Sequence, residues 1–169
     1  MRKHTAQRAA NNSRGGQLLI EAMIAISIIT VGIVGVLALL SRSLTLNRVV
    51  ADQYTATYLA AEGIEVVKNI IDANIVNVRP WNQGLTDGAY EVDFQSVALT
   101  PDQGRQVQFD AATGRFGYQG GAPTNYRRRI QIALVSADEV RVNSVVDWTT
   151  HGGGTFSLDT EDHFFNWRP

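Results

Sequence analysis

The chain of 169 residues contains no cysteine, which removes disulfides, thiol nucleophiles and thiolate metal sites from any account of it. It has four prolines, and none stands before Pro80, so nothing from Gln17 to Arg79 interrupts a helix by ring geometry or by a missing N–H. Histidine is scarce, at His4, His151 and His163. No G-x-S-x-G nucleophile elbow is present, so His151 and its three following glycines, though similar to an oxyanion loop, read as a turn between strands. No catalytic residue is expected. Acid is missing from the first 16 residues, which hold Arg2, Lys3, Arg8 and Arg14. Charge of either sign is missing from 22–40.

That uncharged stretch spans about 28 Å as a helix, close to the roughly 30 Å hydrocarbon core of a bilayer. The wider run, QLLIEAMIAISIITVGIVGVLALL, carries a single charge, Glu21. A charge at the centre of a membrane helix costs about 2.5–3.5 kcal/mol on insertion scales, so a carboxylate there implies a partner or a position near the headgroups. The basic leader predicts that the N-terminus stays on the cytoplasmic side of a single-pass inner-membrane protein. A removed secretory signal would have a shorter apolar region followed by its cleavage site, whereas here Gly15-Gly16 precede the run. A plain signal-anchor remains as the simplest competing reading. All 16 acidic residues lie beyond Gln17, so the exported part is mildly acidic and no nucleic-acid partner is expected.

The order of basic leader, Gly16, Gln17, Leu18, Leu19, Ile20, Glu21 and apolar helix resembles the type III signal of type IV prepilins and pseudopilins. The resemblance implies cleavage by a prepilin peptidase between Gly16 and Gln17, where glycine leaves the scissile backbone unhindered. It further implies N-methylation of the new terminus, although Gln17 stands where the family usually has Phe. It assigns to Glu21 the neutralisation of a neighbouring subunit's α-amine in a helix bundle, where each charge compensates one otherwise buried alone. Gly32 and Gly35 are weak points in the span. They read either as small-residue packing positions or, by the resemblance, as sites where the helix melts on entering a filament. Many major pilins also have a mid-span proline where this chain has Ala38.

Beyond Arg42 the helix is expected to become amphipathic. Leu46, Val49, Val50, Ala56, Ala60, Ile64, Val67 and Ile71 fall on one side, and Asn47, Arg48, Thr55, Glu62, Glu65, Asn69 and Asp72 opposite. One helix to about Asn74 would be roughly 87 Å long. After Pro80 the period becomes two: Tyr90, Val92 and Phe94; Ile130, Ile132 and Leu134; Val140, Val142, Val146 and Trp148. Shorter strands surround Val107 with Phe109 and Phe156 with Leu158. Turns are expected at Asp87-Gly88, Thr113-Gly114 and Gly152 to Gly154. About five antiparallel strands must bury one face, and the helix supplies the matching stripe.

The expected fold is therefore α+β, the pilin-like lollipop of a long helix packed on an antiparallel β-sheet. Its divisions are a leader over 1–16, a transmembrane and assembly half over 17–40, an amphipathic half over 41–78 and an extracytoplasmic β domain over 79–169. The closing strands, through Phe165-Asn-Trp167, are similar to those of minor pilins of the PilV type. The resemblance implies a structural minor pilin of a pilus or pilus-like filament. Its partners would be the peptidase, other pilin subunits, the membrane and an inner-membrane assembly platform driven by an ATPase. A pseudopilin of a secretion or DNA-uptake machine is the near alternative, and a membrane-tethered binding module that never polymerises is the distant one. No cofactor is expected. Asp159, Glu161 and Asp162 offer oxygen ligands that suit Ca²⁺, and a solvated loop accounts for them more simply. Arg127, Arg128 and Arg129 should alternate across a strand as cationic gatekeepers.

Overall fold

A computed structural model describes residues 3–150 and 153–167, with side chains from Gly16 onward. One α-helix, α1 (Lys3–Val76), is followed by eight strands: β1 (Gly88–Glu91), β2 (Thr100–Pro101), β3 (Gln108–Asp110), β4 (Arg115–Gly117), β5 (Ala122–Pro123), β6 (Tyr126–Ser136), β7 (Glu139–Thr149) and β8 (Thr155–Phe165). The class is α+β, with the long N-terminal helix packed on antiparallel sheet. Two compact units divide the chain, Met1–Arg48 and Val49–Pro169.

In the second unit, β2-β1-β6-β7-β8 form a five-stranded sheet and β4-β3-β5 a small three-stranded one. All pairings are antiparallel. The five expected strands correspond to β1, β3, β6, β7 and β8, and β2, β4 and β5, only two or three residues long, are missed. Segments this short show no period. The two long hairpin arms follow from alternation. Tyr126, Arg128, Ile130 and Ile132 of β6 and Val140, Val142, Ser144, Val146 and Trp148 of β7 are buried on one face. Leu134, expected on that face and still in register with Val140, is exposed near the end of the arm.

Against this face lies the stretch of α1 from Ala56 to Asn74. Its buried side is Ala56, Leu59, Ala60, Gly63, Val66, Val67, Ile70, Ile71 and Asn74. The expected stripe holds from Ala56 onward, with Ile64 only partly buried, and fails at Leu46 and Val50, which are exposed. Val49, in helical line with Ala56 and Val67, is half-buried, whereas Leu44, Leu46 and Val50 are exposed, and periodicity alone does not show where burial begins.

Gly63 permits the closest approach. A Cβ there would lie 2.5 Å from Ser144 Oγ and 2.6 Å from Ile130 Cδ1, distances that no side chain tolerates without moving its neighbours. The helix ends in a Schellman motif: Arg79 N–H donates to Asn74 O at 2.9 Å and Val78 N–H to Ile75 O at 3.1 Å. The left-handed position falls on Val78, at φ 56°, where a Cβ costs about 1–2 kcal/mol. Asn74 then ties down the following loop, its Nδ2 donating to Gln83 O at 2.8 Å and Trp81 O at 3.3 Å.

Candidate functional site

In the first unit, every apolar side chain from Leu18 to Leu40 is exposed, and none of the most apolar window is buried. Such a helix is apolar all round and has no water-facing side, which is the composition of a membrane span. The polar hydroxyls within it are satisfied inside the helix: Ser27 Oγ donates to Met23 O and Thr30 Oγ1 to Ile26 O, both at 2.7 Å. Glu21 has no such recourse, because an ionised carboxylate is acceptor-only and the helix interior offers it no free N–H.

Glu21 shares one side of the helix with Gln17, Ile20, Ile24, Ala25 and Ile28, which with Gly16 line a shallow open groove. At 100° per residue, Gly35 returns to the same side as Gln17, five turns on, and Gly32 lies beside it. Both glycines sit in unbroken helix with open space where a Cβ would stand. The side holding the only charge therefore also carries the positions with least side-chain bulk. α1 runs without a break through Gly16 and Gln17, and glycine offers little resistance to local unwinding there. The basic side chains of the leader and His4 lie outside the described residues, as do His151 and Gly152.

The other sequence candidates fall elsewhere. Asp159, Glu161 and Asp162 belong to β8, not to a loop. Asp159 and Glu161 share the outer face, where Asn143 Nδ2 donates to Asp159 Oδ1 at 3.1 Å and Glu161 Oε2 at 3.0 Å. Asp162 has the opposite parity, and its Oδ1 accepts the His163 N–H at 2.8 Å. The three carboxylates do not converge, and among the described residues no group of three His, Asp or Glu side chains is arranged for a metal ion. His163 lies between Glu139 and Glu161, its ring nitrogens at 2.6 and 3.2 Å from their carboxylates. Hydrogen bonds donated to the Glu139 and then the Glu161 carboxylate hold its pKa above the ordinary value.

The arginine run is the clearest correction. Alternation splits it as expected, but Arg128 is fully buried and no gatekeeper. Its Nη1 donates to Leu59 O at 2.8 Å and Glu62 Oε2 at 3.0 Å, and Nη2 donates to Val92 O. Glu62, assigned to the solvent side of the helix, is the half-buried partner. One guanidinium thus joins helix, β6 and the end of β1. Glu91, between Tyr90 and Val92 and so on the opposite parity to them, is buried as well. Its Oε1 accepts the N–H groups of Gln103 and Arg105, and Oε2 binds Arg105 Nε and Nη2, each at 2.7 Å. Burial pushes this carboxyl up, but the Arg105 hydrogen bonds and charge together with the Gln103 N–H bring it below the usual range. Both acids are signposted in sequence only by the later arrival of an arginine, at no fixed spacing.

No protein-family profile, curated protein or solved structure matches this chain.

Proposed function

We propose that this chain is a structural minor pilin of a type IV pilus or pilus-like filament, and not an enzyme. It is inserted with the basic leader inside, trimmed between Gly16 and Gln17, and assembled through the apolar stretch of its helix. The observation that carries the reading is the lone carboxylate at Glu21, on the fifth residue from Gly16, in a helix stretch whose apolar side chains are all exposed. Trimming would create an α-amine at Gln17, and the amine of one subunit and the Glu21 carboxylate of another would each lower the cost of burying the other. Gln17, Glu21, Ile24, Ile28 and Gly35 share one side of the helix, which suits close helix packing in the absence of a hydrophobic driving force from water.

Gly32 and Gly35 are where the helix would yield most readily if assembly stretches it. The β domain at the other end would stand outside the membrane, with its own core and no need of the span for folding.

Intact-mass measurement on protein from cells with and without the prepilin peptidase tests the reading. The expected result is a chain starting at Gln17 only where the peptidase is present. A chain beginning at Met1 in both would overturn it and leave a membrane-tethered domain.

A further inference from the structure

The second unit treats its sheet edges unequally. In the main sheet, one edge is β2, two residues long and containing Pro101. The small sheet ends on β5, two residues containing Pro123, and on β4, three residues. Shortness and proline are the usual means of keeping an edge from pairing with another chain. The remaining edge, β8, has eleven residues, no proline and no lysine, and its register with β7 is unbroken from Thr155 to Phe165.

Which backbone groups it offers follows from the ladder. Thr150 N–H donates to Gly154 O and Asn166 N–H to Asp138 O, so residues of even number on β8 bond to β7. Those of odd number turn their N–H and C=O outward. His163 agrees, since its N–H is taken by its own neighbour, Asp162. That contact covers the edge at its C-terminal end. Thr155, Ser157, Asp159 and Glu161 are left open. Their inner-face neighbours are also incompletely covered: Phe156 is 42% exposed, and Leu158 and Thr160 are half-buried.

Charge decides what can pair there. Asn143 holds the Asp159 and Glu161 carboxylates side by side on the outer face, and its hydrogen bond, followed by that of His163, keeps Glu161 below the usual carboxylate range. Two copies of β8 paired about Thr160 would set Asp159 against Glu161 twice, which is destabilising. Arg141 Nε, 3.9 Å from Glu161 Oε2, and His163 share the Glu161 charge, so a strand with Lys or Arg there meets complementary charge chiefly at Asp159.

We propose that the edge of β8 from Thr155 to Glu161 is a docking strand for an extended basic segment of a partner protein, which adds to the sheet beside it. The segment would carry apolar residues in line with Phe156 and Leu158 and basic residues facing Asp159 and Glu161, the arrangement of strand addition in peptide recognition. The proposal is independent of whether the chain polymerises.

The test uses the full chain in nanodiscs of zwitterionic lipid and two capped eight-residue peptides, one alternating valine and lysine, the other valine and glutamate. Fluorescence anisotropy reads binding, and amide hydrogen exchange reads its place. The lysine peptide should bind and slow exchange at Ser157, Asp159 and Glu161, and the glutamate peptide should not. Ser157→Pro, which blocks an outward N–H and leaves the β7 ladder intact, should weaken binding at least about tenfold with thermal unfolding unchanged. The double variant Asp159→Lys, Glu161→Lys should reverse the peptide preference. Equal binding of both peptides, binding without protection on β8, indifference to Ser157→Pro, or self-association through this strand would each overturn the proposal.

Discussion

One helix contributes to two regions of this molecule in opposite ways. From Leu18 to Leu46 its large apolar side chains stand 55 to 74% exposed, while between Ala56 and Ile71 Leu59, Val66, Val67, Ile70 and Ile71 are almost wholly buried. The difference is written in the distribution of polar residues. Residues 22–40 are apolar on every side, so no rotation could hide them against a single sheet. In the later stretch Glu65, Lys68, Asn69 and Asp72 occupy the far side, so one face meets the sheet and the other meets water. The same secondary structure is apolar on all sides and exposed in one region and packed on a protein core in the other. A polar group follows the same division: Glu21 stands exposed, whereas Arg128 and Glu62 find each other within the fold.

The sharpest way to break this comparison is to remove the internal charge. Arg128→Ala should destabilise the second unit by about 3–5 kcal/mol, since it leaves Leu59 O and Val92 O without their donor and empties a core volume. Arg128→Met, which refills the volume with apolar atoms, should cost distinctly less. Urea unfolding of the full chain in micelles, followed by tryptophan fluorescence, reads both.

Glycine offers the next contrast. Gly63→Ala should cost about 1–3 kcal/mol by overpacking against Ser144 and Ile130. Gly35→Ala has nothing to meet and should leave the unfolding of the β domain unchanged while strengthening the helix by up to about 1 kcal/mol. Equal effects of the two substitutions would show that the two stretches do not differ as described.

A smaller effect concerns Glu91, whose pKa is lowered on folding. Its stabilisation is fully present above the ordinary value of 4.5 and is lost as pH falls through the depressed folded value. Arg105→Ala should therefore flatten the loss of stability in a urea series taken downward from pH 5. Glu21→Ala should leave that series unaltered.

Much of this was legible in the residues. The apolar run, the sheet-facing stripe from Ala56 to Ile71 and the β6 and β7 alternation follow from period alone, because burial on one face imposes it. The two-residue strands Thr100–Pro101 and Ala122–Pro123 are too short to show a period and are set by the strands they pair with. The buried ions were illegible for a related reason. Period two puts Arg128 in line with Ile130 and Ile132 while Glu62 and Glu91 fall on polar sides, and only the fold reveals the partners that make their burial tolerable. The acidic cluster near the C-terminus is expected in a solvated loop, yet Asn143 and His163 across and along the hairpin hold it in β8.

The central claim is that the first stretch of the helix serves contacts with other chains and the second serves the fold. The most direct measurement follows Glu21→Ala in sheared surface filaments and in membranes from the same cells, with the unfolding of its β domain recorded alongside. The account expects processed protein in the membrane, unchanged unfolding, and a variant absent from filaments that contain the wild-type chain, because an uncompensated Gln17 amine costs about 3–5 kcal/mol on burial. Incorporation of Glu21→Ala at the wild-type level would contradict it.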